Sequence, residues 1–157
     1  MTHEHEPEID EQLRQGLTWF FQQIPFNQLI GMEIAHLCAE RVEIKVPMKP
    51  ELIGNFIHNN LHGGVISSVL DVAGGCMAVV GAYLRTHGMD DQERQEVLSK
   101  VGTIDLRVDY LRPGRGESYV ASARLLRAGN KVAVTRMSFH DDKGELLAVG
   151  TGTYLCG

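Results

Sequence analysis

A lone carboxylate inside an apolar run is the group in this chain best placed to do chemistry. Asp71 interrupts the segment Val65 to Leu84, and the polar, glycine-bearing stretch Asn59-Asn60-Leu61-His62-Gly63-Gly64 stands directly before it. An acid in apolar surroundings is costly unless it is hydrogen-bonded or used, so an aspartate here points to a nucleophile or general base. A glycine pair at a helix start offers N–H groups without intrahelical partners, backed by the positive end of the helix dipole. Such donors suit an oxygen that gathers negative charge, and the missing side chains let a carbonyl approach the backbone closely. Together these groups are equipment for attack on a carbonyl carbon.

At 3.6 residues per turn, Gly64, Ser67, Ser68, Asp71, Gly74, Gly75, Ala78 and Ala82 fall within about 60° of Asp71's direction. Ile66, Val69, Ala73, Cys76, Met77, Val80 and Leu84 lie opposite, as a bulky stripe that can anchor the helix on a sheet. The small stripe suits either close packing against a strand or partner helix, or a channel beside the acid. Gly64 and Asp71 are separated by roughly 10 Å along one helix, too far to serve one reacting carbon together. If both act, the helix mouth of one subunit meets Asp71 of another across a two-fold axis, which requires a homodimer.

Other chemistries fit less well. His58 and His62 have the i, i+4 spacing of a zinc pair, but no glutamate lies between them and asparagines and glycines surround them. Ser67 and Ser68 lack the G-x-S-x-G elbow of a serine hydrolase, and Cys76 falls in the bulky stripe.

Several elements must position these groups. Leu13, Leu17, Phe20, Phe21 and Ile24 recur at helical spacing up to Pro25, which predicts an N-terminal amphipathic helix whose aromatic face, Trp19 included, packs as core. Met32 and Ile34, then Val42, Ile44 and Val46, alternate with polar residues around a turn at Ala39 to Arg41, which predicts two antiparallel strands. Glu51 to Asn60 reads as a loop feeding the Asp71 helix, and Arg85 to Glu96 as a polar run. Four alternating segments follow. In the first, Ile104, Leu106, Val108 and Tyr110 form one face, with Thr103, Asp105, Arg107 and Asp109 on the other. Ser118 to Arg127, Lys131 to His140 and Glu145 to Leu155 are the rest, joined by turns at Gly129-Asn130 and Asp141-Asp142-Lys143-Gly144. The class is α+β, a curved six-stranded antiparallel sheet around one long central helix, with an extra N-terminal helix.

Length and composition set further bounds. A chain of 157 residues with 43% hydrophobic content fits one domain, residues 10–157, after an acidic, disordered tail at 1–9. A formal net charge of -5 without a basic stripe argues against nucleic acid. Ser67, Ser68, Asp71 and the glycines make the Val65 to Leu84 segment a poor membrane span. The N-terminus has neither the basic nor the apolar region of a secretory signal, and Cys38, Cys76 and Cys156 suggest no disulfide framework, so a cytoplasmic location is expected.

His62-Gly63-Gly64, Asp71 nine positions after the histidine, and Thr103 in a strand closing with Tyr110-Leu111-Arg112-Pro113 resemble the hotdog-fold acyl-CoA thioesterases of the phenylacetate-degradation (PaaI-like) type. The resemblance covers about residues 30 to 155. It implies a hotdog subunit that dimerises, often into tetramers, and hydrolyses acyl-CoA without a metal or organic cofactor. Carried over, Asp71 is the nucleophile or water-activating base, Gly63 and Gly64 donate to the thioester carbonyl, His62 orients that turn, and Thr103 positions water or the carboxylate. Relatives often carry an amide six positions before the histidine, where this chain has Phe56; Asn55 and His58 are the neighbours that could substitute. Ser68 lies beside the proposed acyl slot, and Arg112, Arg127 and Lys131 are candidate cations for the phosphates of CoA. An aromatic content of only 6% favours medium or long aliphatic acyl groups. A hotdog enoyl-CoA hydratase or dehydratase, and a non-catalytic acyl-CoA-binding protein, are the rivals.

Overall fold

The computed structural model describes residues 6–157. Helix α1 (Glu11–Gln23) starts at Asp10, whose side chain accepts a hydrogen bond from the Leu13 N–H. It buries Leu13, Leu17 and Phe21, a stripe one residue wide. Trp19 and Phe20, expected in the core, are instead 63% and 59% exposed, because Phe20 falls at the edge of that stripe and Trp19, two residues from both Leu17 and Phe21, falls on the face away from it. Pro25 ends α1 and also opens a short helix the sequence pattern did not predict, α2 (Pro25–Ile30), at the position where a missing N–H costs nothing. Gly31 closes α2 in the left-handed region at φ 85°.

Of the tail expected over residues 1–9, residues 1–5 lie outside the described residues. Residues 6–9 are docked: the Ala39 N–H donates to Pro7 O, Ile9 is buried, and Glu6 accepts from Arg41 and lies 2.9 Å from His36 Nε2. An acid that finds an arginine and an isoleucine that finds the core hold this stretch against the sheet.

Strands β1 (Glu33–Leu37) and β2 (Val42–Pro47) pair antiparallel, as their alternation requires. The segment expected as a loop carries a small two-stranded hairpin, β3 (Ile53–Asn55) with β4 (Asn60–Leu61), turned with Asn59 at φ 53°. Gly54 is bare because a Cβ there would stand 2.7 Å from the backbone of His62. The long helix α3 (Gly63–Leu84) follows, then α4 (Asp91–Ser99). Helix α4 was not foreseen within the polar run, although Asp90 and Glu93 form a capping box at its start.

Strands β5 (Gly102–Tyr110), β6 (Ser118–Ala128), β7 (Val132–Asp141) and β8 (Leu146–Leu155) complete one antiparallel sheet in the order β1-β2-β6-β7-β8-β5. Helix α3 lies across its inner face, over Ile44, Tyr119, Phe139 and Met137. α3 is long and apolar enough to cross a membrane, yet 67% of its apolar window is buried within the domain. Its bulky stripe is buried through Val80, while Leu84 at the last turn is exposed. The small stripe divides. A Cβ on Gly74 would collide with Tyr154 and Met137 and stand 2.8 Å from Thr135 Oγ1, so this glycine marks close packing on the sheet. Ser67, Ser68, Asp71 and Gly75 stay half-buried, beside open space.

Candidate active site

Asp71 is held by two hydroxyls. Thr103 Oγ1 donates to Asp71 Oδ1 at 2.9 Å, and Tyr154 Oη reaches the same oxygen at 3.2 Å and the Asp71 backbone carbonyl at 3.1 Å. Among the described residues both side-chain donors fall on Oδ1, which leaves Oδ2 unclaimed. These contacts fix the carboxylate's rotamer, with the Tyr154 hydroxyl shared between Oδ1 and the backbone carbonyl.

Thr103 gets there through a β-bulge. Thr103 pairs with Tyr154 and Asp105 with Thr153, so Ile104 is an extra residue in β5. Strict alternation would place Thr103 on the face away from Leu106; the bulge returns it to the helix side. Tyr154 was missed by the sequence analysis. It ends the run Gly150-x-Gly152-x-Tyr154 on the inner face of β8, where Gly150 faces Leu70 of α3 and Gly152 leaves room for the Tyr154 ring that reaches the acid. Burial, then the Asp71 charge, push its phenol well above the ordinary range, so it stays a neutral donor.

The helix mouth is a second centre. His62 is the N-cap of α3, and its Nδ1 accepts from the Gly64 N–H at 2.8 Å. This corrects the expectation that both glycine N–H groups are free: the imidazole claims that of Gly64, and Gly63 supplies the remaining donor. The His62 N–H donates to Leu52 O, and Tyr110 Oη donates to Gly63 O at 3.1 Å, so the turn is pinned from both sides.

The two centres open into different spaces. Asp71, Thr103 and Tyr154 line a pocket of about 200 Å³, whereas His62, Gly63, Asn55, Tyr110 and Arg112 line one of about 530 Å³. They share no lining residue, in keeping with the spacing along one helix.

The other candidates divide between these regions. Asn55 lines the mouth, with its Oδ1 accepting from the N–H groups of Ile57 and His58. Phe56 projects at 82% exposure and His58 is exposed in the turn, so the His58–His62 spacing lies on no helix and makes no ligand pair. Ser68 Oγ donates to the Gly64 carbonyl one turn back, which occupies its hydroxyl within α3. Arg112 is at the mouth, paired with Glu145 at 3.1 Å. Arg127 and Lys131 flank the β6–β7 turn, where Gly129 O receives Arg85, the residue capping the far end of α3. They are therefore remote from the mouth of their own subunit, and Arg115, bonded to Asn60 Oδ1 at 2.9 Å, is the nearer cation that sequence reasoning missed. Glu6, His36 and Cys38 could gather three ligand atoms around an ion, but the Arg41 guanidinium already holds Glu6. Cys76 is a buried thiol whose pKa is pushed up to about 12 by desolvation, which suits packing and not nucleophilic attack.

A single antiparallel sheet wrapped on one central helix, with an acid on that helix and a glycine turn at its mouth, defines a hotdog-fold domain of the thioesterase class. The thioesterase superfamily model matches residues 58–148, and the chain belongs to this family. It is 45% identical over 138 residues to the medium/long-chain acyl-CoA thioesterase YigI of Escherichia coli K12, covering 88% of this chain and 89% of that protein. A Shewanella oneidensis crystal structure related to the thioesterase superfamily superposes with a TM-score of 0.89 at 45% identity, covering 94% of this chain and 96% of the other. The Escherichia coli PaaI protein from the phenylacetic acid degradation operon superposes with a TM-score of 0.74 at 15% identity, covering 93% and 94%, a likeness of fold.

Proposed function

We propose that this protein hydrolyses medium- or long-chain acyl-CoA to the free acid and CoA, and that Asp71 is its catalytic carboxylate. The observation that carries the assignment is the one-sided anchoring of Asp71: Thr103 and Tyr154 both hold Oδ1, which leaves Oδ2 as the basic atom at the pocket wall. In the water-activating form, Oδ2 takes a proton as the water oxygen bonds to the thioester carbon. The carbonyl electrons pass to oxygen, the Gly63 N–H receives that charge, and the C–S bond breaks as the electrons return. The proton held on Asp71 then neutralises the departing thiolate. If Asp71 attacks directly, Oδ2 bonds to the thioester carbon as the C–S bond breaks and CoA leaves as thiolate, and water then cleaves the mixed anhydride, restoring the carboxylate and supplying the thiol's proton.

Because the two centres open into different pockets, the working site joins Asp71 of one subunit to the Gly63 mouth of another, in a homodimer that can pair again into a tetramer. Exposed Phe56, Ile57, Ile104, Tyr110 and Leu111 around the mouth and the β5 edge support this. Arg112 and Arg115 are the cations nearest the mouth for the phosphates of CoA. The three cysteines are free and buried, which supports a reducing, cytoplasmic setting.

Thiol release from a series of acyl-CoA substrates tests the assignment. Release by wild type and its loss in Asp71→Ala support it. No free CoA from any substrate, or equal release by the variant, sinks it. Loss of enoyl absorbance from crotonyl-CoA without thiol release would favour the hydratase rival instead.

A further inference from the structure

We infer that the groove between α1, α3 and α4 receives the acyl tail, and that Gly16 and Tyr83 set how long that tail can be. This rests on the thioesterase assignment and adds where the chain goes beyond the reacting carbon.

Three observations converge. The half-buried residues of α3 form a line, with Asp71, Gly75, Val79 and Tyr83 at intervals of four. That line runs about 18 Å from the acid to Tyr83, the reach of a long extended chain and not of an acetyl group. The space beside it is continuous: the Asp71 pocket adjoins a groove of about 790 Å³, and Leu17, Phe20, Val79 and Val101 line both.

The walls are apolar and the far end is polar. Trp19 and Phe20, left exposed on α1, stand along this groove and would be covered by an acyl chain. Tyr83 ends it, with its Oη donating to Asp10 Oδ1 at 3.1 Å and the Arg94 guanidinium 5.1 Å from its ring centre. A methylene chain gains by burial up to that point and loses beyond it. On the opposite wall Gly16 leaves a gap, since a Cβ there would have no neighbour within 4 Å. A large side chain at Gly16 would fill the groove past its midpoint without touching Asp71.

Trp19 is the chain's single tryptophan, so its emission reports on the groove directly. In the full-length protein, palmitate is expected to shift Trp19 emission to the blue, and CoA alone to leave it unchanged. Gly16→Phe is expected to lower kcat/KM for palmitoyl-CoA by about tenfold or more while leaving octanoyl-CoA within about twofold. The exchange improves helix propensity at an exposed site, so the fold is retained. An unaltered chain-length profile in Gly16→Phe, or emission that palmitate does not move, overturns the inference. Emission already blue in the ligand-free protein would mean that another copy closes the groove, and overturns it too. Wild type inert on every thioester defeats the hydrolase assignment instead, and the palmitate titration still decides the groove.

Discussion

Thr103 and Asp71, 32 residues apart in sequence, are joined at 2.9 Å because a bulge in β5 turns the threonine toward the helix. A hydrogen bond to a charged acceptor is worth about 1.5–3 kcal/mol, so its loss from the reacting state is felt as roughly tenfold to hundredfold in rate. Thr103→Val is expected to lower kcat by that much with KM nearly unchanged, and Thr103→Ser to restore most of it. Asp71→Asn removes the base and should cost about a thousandfold or more. Steady-state thiol release distinguishes the three; a Thr103→Val enzyme with wild-type kcat would remove the hydroxyl from the mechanism.

Gly74→Ala tests the packing that holds Tyr154 in place. The new methyl would meet Tyr154, Met137 and Thr135 at once, all of them on the sheet beneath α3. Overpacking of this kind costs about 1–3 kcal/mol, so thermal unfolding should show a lower Tm. Tyr154 must also move, so kcat should fall along with stability. A variant as stable and as fast as wild type would show that α3 can lift off the sheet freely.

Alkaline stability should be governed in part by two buried groups. Cys76 ionises near 12 in the folded protein but near its ordinary value of 9.0 once unfolded. Above about pH 9 the unfolded chain therefore binds fewer protons than the folded one, and stability falls as pH rises toward 12. Tyr154, raised by burial and by Asp71, acts in the same direction above its ordinary value of 10.0. Urea unfolding between pH 7 and 10.5 should give a flat stretch followed by a decline, and Cys76→Ala should shallow that decline. Native Cys76 should also resist thiol reagents at pH 8 until the protein unfolds.

Mixing subunits tests the shared site. Neither Asp71→Asn nor Gly63→Val dimers should turn over thioester, because every site in them lacks one half. Random re-pairing makes about half the dimers mixed, each with one intact site, so about a quarter of wild-type activity should return. A mixture that stays inactive would place both halves in one subunit.

Much of this arrangement is legible in the sequence. Strand alternation and the apolar run of α3 suffice for the six-stranded sheet and its central helix, and the mouth turn is visible in His62-Gly63-Gly64. What escapes is what periodicity cannot carry. The bulge at Ile104 breaks the alternation by which Thr103 was placed, and Tyr154 looks like an ordinary core aromatic until its oxygen is seen beside Asp71. The Gly64 N–H looked free because nothing in the sequence says which way His62 turns. α4 hides in a polar run with no buried face, and Trp19 reads as core because an aromatic within an amphipathic helix usually is.

The extra residue in β5 is dispensable to the pairing on either side of it. From Asp105 to Tyr110 the strand pairs with β8 in unbroken register, so loss of Ile104 would leave that ladder intact and straighten only its first turn of chain. Thr103 would then stand directly beside Asp105 and keep the inner face opposite Tyr154 by plain alternation, so a single-codon deletion of Ile104 would yield a folded enzyme in which the threonine still faces Asp71.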